Sequence, residues 1–196
     1  MSGVSAILLA AGESRRMGVD KLSLPWGKKT IFEHCLDTLL RSKVREVIVV
    51  LKDRREGRRK DFKDRRVKVV INPEYRKGMS TSIRKGILAV DPRSHGILIA
   101  LGDQPLLRTR TINALIDAFA RRGKGIVVPS FRGKRGHPVI FHRDFERELR
   151  RLRGDVGGRS IIERYSEEVW TLPVKSEGVV KDIDTRKDYE GANDEQ

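Results

Sequence analysis

The stretch that decides the fold is Val4-Ser5-Ala6-Ile7-Leu8-Leu9-Ala10-Ala11-Gly12-Glu13-Ser14-Arg15-Arg16-Met17-Gly18-Val19-Asp20-Lys21. Its first six residues read as a buried strand, and the remainder is a loop with two glycines, a hydroxyl, paired arginines and a lysine. Glycine lets backbone amides approach a ligand closely and opens backbone angles closed to other residues. Arginine and lysine supply the positive charge that a polyphosphate requires. A glycine-containing βα connection with solvated basic residues would look similar. The joint placement of Arg16, Lys21, Gly12 and Gly18 directly after a strand favours a nucleotide triphosphate cradle. The loop is neither common type of cradle. Gly18 is followed by Val19 rather than the Lys of GxxxxGK(S/T), and Gly12 and Gly18 are too far apart for GxGxxG.

The elements beyond the loop alternate. Thr30–Arg41 reads as a helix, with Ile31, Phe32, Cys35, Leu36, Leu39 and Leu40 on one stripe and a Thr30/Glu33 capping box at its start. Strands are expected at Glu46–Leu51, Val67–Ile71, Gly96–Leu101, Gly125–Val128 and His137–Phe141, with shorter ones at Val169–Pro173 and Val179–Ile183. Helices are expected over Ser80–Ala89, Thr111–Ala120, Asp144–Arg151 and Gly158–Tyr165, and a basic glycine-rich loop over Pro129–Gly136. The strand Gly96–Leu101 is apolar on both faces, as a central parallel strand should be. Such alternation implies an α/β fold, a mostly parallel sheet with helices on both faces. No repeat, linker or domain boundary interrupts it. One domain over residues 1–189 is expected, with a disordered tail over 190–196.

Composition narrows the function classes. Only 38% of residues are apolar and 35% are charged, yet the apolar ones cluster in short runs, which argues for a folded chain. The net charge of +15 suits an anionic partner: nucleic acid, an anionic membrane or a phosphorylated small molecule. The densest basic run, Lys52–Arg66, is punctuated by acidic residues and holds one aromatic, Phe62. That pattern suits a solvated, salt-bridged helix better than a base-stacking surface, so no nucleic-acid partner is expected. Cys35 is the single cysteine, is expected in the core, and excludes an internal disulfide. The amino terminus lacks a basic leader, and no apolar run approaches the roughly 20 residues of a membrane span. The cytoplasm is the expected location, with no membrane partner.

In sheets of this kind ligands sit at the carboxyl ends of the strands. Three polar clusters follow strands: the opening loop, Gly102-Asp103-Gln104-Pro105, and Asp182-Ile183-Asp184-Thr185. A carboxylate at the end of a buried strand is costly unless it is paired or binds a cation. Mg²⁺ takes one or two carboxylates plus substrate phosphate oxygens, a set that Asp103 and Asp184 can provide, with Asp182 nearby. An Asp at position 103 that caps a following turn would read the same way. Gly78-Met79-Ser80-Thr81-Ser82 places glycine and hydroxyls at a helix start, suited to an anion, a base edge or a plain N-cap at Ser80. Asn72-Pro73 ends a strand in a turn. His137 fits a ligand contact or a packed loop equally well, and Gly154-Asp155-Val156-Gly157-Gly158-Arg159-Ser160 suits an anionic second substrate. No hydrolase triad or HExxH pattern is present.

These residues together resemble the molybdenum cofactor nucleotidyltransferase family. Leu9–Lys21 is similar to its LA(A/G)GxSxRMGxxK signature. GDQP at Gly102–Pro105, RGHPV at Arg135–Val139, GDxGGR at Gly154–Arg159 and DIDT at Asp182–Thr185 follow in the family's order, nearly spanning the chain. Ala10-Ala11, Gln104, Gly78–Ser82 and RGHPV look like the cytidylyl branch; the guanylyl branch usually has glycine at the position of Ala11. Extra bulk beside the base would favour the smaller pyrimidine.

The resemblance implies a single Rossmann-like three-layer α/β/α domain, similar to nucleotide-diphospho-sugar transferases, and Mg²⁺-dependent transfer of CMP from CTP to molybdopterin with release of pyrophosphate. It assigns catalysis to Arg16, Lys21 and Asp103. The nucleotide falls to Leu9, Ala10, Ala11, Gly12, Arg16, Lys21, Ser82, Gly102 and Asp103, the metal to Asp103 and Asp184, and the pterin acceptor to Arg135, His137, Asp155 and Arg159. A monomer is implied, with a molybdenum hydroxylase receiving the product. Arg186-Lys187 departs from the Pro-Glu that the family commonly carries after DIDT, which affects the geometry of the last loop. Four rivals stand beside this reading: a guanylyltransferase of the same cofactor, a cytidylyltransferase for another phosphorylated acceptor, a non-enzymatic cofactor chaperone, and a basic nucleic-acid-binding domain, which tight, salt-sensitive binding without nucleotide turnover would support.

Overall fold

Side chains alternate along β1 (Val4–Ala10), and this alternation builds both faces of the molecule. Val4, Ala6, Leu8 and Ala10 enter one core and Ile7 enters the other. A computed structural model describes residues 3–14, 17–53, 62, 64–123, 125–155 and 157–193. After β1 come a short hairpin, β2 (Pro25–Trp26) and β3 (Lys29–Thr30), then α1 (Ile31–Leu40), β4 (Glu46–Leu51) and β5 (Val67–Ile71). Next are α2 (Met79–Ile87), β6 (Gly96–Leu101), α3 (Thr109–Arg122), β7 (Ile126–Phe131), β8 (Lys134–Arg135) and β9 (Val139–His142). The chain finishes with α4 (Glu146–Arg151), α5 (Arg159–Arg164), β10 (Val169–Pro173) and α6 (Arg186–Asn193).

The sheet runs β10-β7-β9-β6-β1-β4-β5, with β8 paired to β7. Pairs β10/β7, β6/β1, β1/β4 and β4/β5 are parallel, while β9 is antiparallel to both β6 and β7. One core lies under α1, α3 and α6, with Phe32, Leu39, Leu115, Phe119 and Ala192 fully buried. The other lies under α2, α4 and α5, with Ile83, Ile87, Leu149 and Ile161 inside. The expected three-layer, mostly parallel α/β/α domain is thus present. Strands β4 and β6 flank β1 on opposite sides, with β5 beyond β4. Their connections part at its carboxyl end, where α/β sheets open a crevice.

Local chemistry sets the element ends. Thr30 caps α1, its hydroxyl accepting from the Glu33 amide at 3.2 Å while the Glu33 carboxylate accepts from the Thr30 amide at 2.7 Å. The capping box is present as expected, and the helix proper begins one residue later. Cys35 packs in the core, and burial pushes its thiol pKa up.

Several boundaries differ from the sequence expectation. Strand β7 continues through Pro129 to Phe131, where a loop was expected from Pro129. Proline is tolerated there because the β9 ladder on β7 stops at Val127. The following tight turn places Arg132 and Gly133 at φ 49° and 81°, which returns the chain as β8. Val179–Ile183 is not a strand. A 3-10 turn covers Glu177–Val179, and the Ile183 amide donates to the Asp103 carbonyl at 2.9 Å. Its buried Val179 and Ile183 are satisfied as isolated anchors, without a ladder. The 190–196 tail starts as helix through Asn193, because Ala192 is fully buried. Most of the charged run expected as a helix, residues 54–61 and 63, lies outside the described residues. Among those described, no helix is long and apolar enough to cross a membrane.

Candidate active site

A cavity of about 670 Å³ opens at the carboxyl ends of β1 and β6, a volume suited to a nucleotide-sized ligand. Leu9, Ala11, Gly12, Glu13 and Ser14 form one wall. Asp103, Asp182 and Asp184 lie at its floor, and Tyr75–Met79, Ser82 and Asp155 form the far wall.

The floor gathers residues far apart in sequence. Lys21 Nζ donates to Asp103 Oδ2 at 2.6 Å and to Asp184 Oδ1 at 2.9 Å. Lys21 is delivered by a 3-10 turn over Lys21–Ser23 that Asp20 caps through the Leu22 amide. Burial alone would lower the lysine pKa, but Asp103 and then Asp184 outweigh it and hold the ammonium above its ordinary value. Burial drives the Asp103 carboxyl upward; Lys21 opposes this, and the neighbouring Asp182 and Asp184 charges reinforce it. Asp103 and Asp184 therefore share one ammonium, with the Asp182 charge close by, and Asp103 Oδ1 is buried with no hydrogen-bond partner among the described residues. Such an atom is costly unless a ligand or cation completes it.

Backbone bonds stitch the floor together. The Gly102 amide donates to the Leu9 carbonyl at 2.9 Å, and a Cβ on Gly102 would meet that same oxygen at 2.9 Å. Gln104 Nε2 donates to Asp182 Oδ1 at 2.6 Å, and the His137 amide donates to the Val179 carbonyl at 2.8 Å. A Cβ on Gly136 would lie 1.9 Å from the Val179 carbonyl oxygen, so only glycine fits beside this segment. The His137 ring is held below its ordinary pKa by burial, which Asp182 and Asp103 partly oppose.

The far wall is ordered from beneath. Asn72, fully buried, donates to Thr81 Oγ1 at 2.8 Å and to Ser82 Oγ at 2.9 Å. The start of α2 is not open. Met79 N donates to Asp155 Oδ1 at 2.9 Å and Ser80 N to the Gly154 carbonyl at 3.2 Å. The N-cap is Gly78 rather than Ser80, whose hydroxyl is buried without a partner among the described residues.

Of the residues expected at a site, Leu9, Ala11, Gly12, Lys21, Ser82, Asp103, Asp155 and Asp184 line the cavity together. Ala10 turns into the core beneath α1 and α3, and Gly102 serves through its backbone contact with Leu9. His137 stands behind the floor, near Asp182 and Asp103. Arg135 is exposed on β8, and Arg159 is ion-paired to Glu163 at 2.9 Å, both outside the cavity wall. Arg16 lies outside the described residues. Sequence reading missed Tyr75, Arg76 and Lys77, whose position just before Gly78 was the available signal. It also missed Glu13, which meets Arg76 Nε at 3.1 Å and so joins the two walls. Asn72 was read as a turn residue only.

The chain is similar to known proteins over most of its length. The family model described as the MobA-like NTP transferase domain matches residues 6–169. The chain is 26% identical to the molybdenum cofactor cytidylyltransferase of Escherichia coli, covering 96% of this chain and 95% of that protein. It is 30% identical to the purine catabolism protein PucB of Bacillus subtilis, covering 94% and 93%. The crystal structure of Rv0371c from Mycobacterium tuberculosis, solved as a complex with manganese, superposes with a TM-score of 0.81 at 27% identity over the whole of both chains.

Proposed function

On the premise that this chain belongs to the MobA-like NTP transferase family and is a nucleotidyltransferase, we propose that it moves CMP from CTP to the terminal phosphate of molybdopterin and releases pyrophosphate. The observation that carries the proposal is the floor of the cavity. Lys21 stands 2.6 Å from Asp103, just past the end of β6, and 2.9 Å from Asp184, and the remaining oxygen of Asp103 is buried and unpartnered among the described residues.

That oxygen, with Asp184 beside the same ammonium, fits a divalent cation. Asp103 and Asp184 would hold it, and Mg²⁺ is the ion we infer; the manganese complex of the Mycobacterium tuberculosis relative supports a hard divalent site. When bound, the cation neutralises phosphate charge and polarises the α-phosphoryl group. Lys21, between loop and floor, supplies positive charge to the triphosphate, and Arg16 is assigned the same task. The Ala10–Gly12 backbone and Ser82 read the base, Ser82 with its hydroxyl fixed by Asn72. The bulk of Ala11 in the wall supports a pyrimidine.

The reaction is an in-line displacement. An oxygen of the acceptor phosphate forms a bond to the α-phosphorus, and the bond from that phosphorus to the αβ-bridging oxygen breaks. Both electrons of the broken bond leave with pyrophosphate. The acceptor phosphate is already anionic near neutral pH, so the residues need only orient it and balance charge. The floor accordingly offers an ammonium and carboxylates in place of a strong base. Arg135, His137, Asp155 and Arg159 are assigned to the acceptor side. We place the enzyme in the cytoplasm as a monomer, passing its product to a molybdenum hydroxylase.

Incubation with each of the four triphosphates, Mg²⁺ and molybdopterin, with pyrophosphate as the readout, tests the proposal. Release with CTP at least tenfold faster than with GTP is expected. Preference for GTP replaces the base assignment. Release with CTP and another phosphorylated acceptor, but not molybdopterin, replaces the acceptor. Pterin binding without pyrophosphate from any triphosphate overturns the transfer reading in favour of a chaperone.

A further inference from the structure

The GDxGGR segment does more than face an acceptor, because its first two residues are bonded to the start of α2 within the far wall of the cavity. Asp155 Oδ1 accepts from the Met79 amide and the Gly154 carbonyl accepts from the Ser80 amide, 76 and 74 residues away in sequence. Gly78, at φ 103°, brings the two backbones into direct contact. A Cβ there would stand 2.6 Å from the Gly154 carbonyl carbon and 2.9 Å from the Asp155 nitrogen. Gly157 closes the same seam, since a Cβ there would lie 3.1 Å from Met79 Sδ. Ser82 sits three residues past Met79 on α2, within one helical turn of the junction.

We propose that Asp155 is a positioning residue that ties the acceptor-side turn to the helix carrying Ser82, so that nucleotide and acceptor affinities are coupled through this junction. The inference rests on the transfer reading above. A carboxylate accepting from the first amide of a helix fixes that turn and suits the positive end of its dipole. The turn and the helix start therefore move together. An acceptor that fixes Gly154, Asp155, Gly157 and Gly158 also fixes the wall that meets the nucleotide, and linkage makes the effect reciprocal. Asp155 was expected to touch the acceptor; here one of its oxygens is already committed to Met79.

The test combines amide hydrogen exchange with calorimetry, using α,β-methylene-CTP and Mn²⁺ as the probe. In the wild-type chain, bound nucleotide should slow exchange both at residues 79–82 and at residues 157–158. Asp155→Ala should weaken nucleotide binding about five- to tenfold, the low end of site-to-site coupling, and abolish the protection at 157–158. Asp155→Asn, which keeps an acceptor oxygen, should retain the protection. Unchanged exchange at 157–158 when nucleotide binds to the wild type overturns the coupling without any variant. Equal loss in Asp155→Asn and Asp155→Ala overturns the positioning role in favour of direct charge contact with a ligand. If no triphosphate alters exchange in the wild type, the transfer reading falls. The exchange of the Met79 and Ser80 amides in Asp155→Ala against Asp155→Asn still decides the junction.

Discussion

Two buried polar clusters cap the central strands, one at each end, and they are built on opposite principles. At the amino end Glu46 Oε1 accepts from Ser5 Oγ at 2.7 Å and from the Asp91 amide at 2.7 Å. Glu46 Oε2 meets Lys68 Nζ at 2.7 Å, and Ser5 Oγ lies 2.6 Å from Ser94 Oγ. Both carboxylate oxygens of Glu46 have partners. At the carboxyl end Asp103 Oδ1 and Gln104 Oε1 are buried without partners among the described residues. A satisfied cluster rigidifies the fold, whereas an unsatisfied one costs stability and persists where a ligand completes it. The amino end reads as structure and the carboxyl end as chemistry.

The largest effect should come from Asp103→Asn. Loss of a charge that would hold the divalent cation beside the transferring phosphate should lower kcat/KM by about 10³-fold, while the thermal midpoint stays within about 4 °C of wild type. Activity within tenfold of wild type in that variant would erase the distinction between the two ends. Chelation by EDTA comes next. Turnover should fall at least about a hundredfold and return with Mg²⁺ or Mn²⁺, again with an unchanged melting curve. A chelated enzyme that keeps its rate would leave the orphaned Asp103 oxygen unexplained.

At the amino end the pattern should invert. Glu46→Gln should cost about 1–3 kcal/mol of stability, seen as a lower denaturation midpoint, with kcat/KM per folded molecule unchanged. The smallest effect is its pH dependence. Burial alone would raise the Glu46 pKa, but Lys68, the Asp91 amide and Ser5 outweigh it and hold it below the ordinary 4.5. A depressed carboxylate pKa stabilises the fold above the unfolded value, and the benefit is lost as pH falls through the folded value. The stability gap between wild type and Glu46→Gln should therefore be constant above pH 4.5 and narrow below it. A gap that widens in acid would mean that the Lys68 contact is not what holds this end.

The same contrast explains what could be read in advance. The GDQP and DIDT clusters were legible because an acidic residue directly after an apolar run is chemically expensive and stands out. Glu46 was not singled out, since a charged residue at a strand start looks like an ordinary solvated end. The glycine and hydroxyls of Gly78–Ser82 marked a helix start, and the family resemblance singled out Ser82 there, but Asn72, which orients it, was not found, because a side-chain amide announces its partner only through tertiary contact. The expected open amides at the start of α2 proved to be occupied by Gly154 and Asp155, a bond across 76 residues that no local pattern encodes. Val179–Ile183 misled because two buried apolar residues at strand-like spacing can be anchored singly.

By itself the sequence determined the alternation of strands and helices, the two apolar faces of β1, the cap of α1 and the residues that end the strands. Those are consequences of side-chain period and local backbone chemistry, which act over a few neighbouring residues. Tertiary structure alone decided that Lys21 stands between Asp103 and Asp184, 82 and 163 residues away, and that β9 enters the sheet antiparallel between β6 and β7. It also decided that one end of the sheet satisfies its buried polar atoms and the other does not. The physical reason is that periodicity specifies which face of an element is buried, whereas the partner it meets is fixed only when the chain closes on itself.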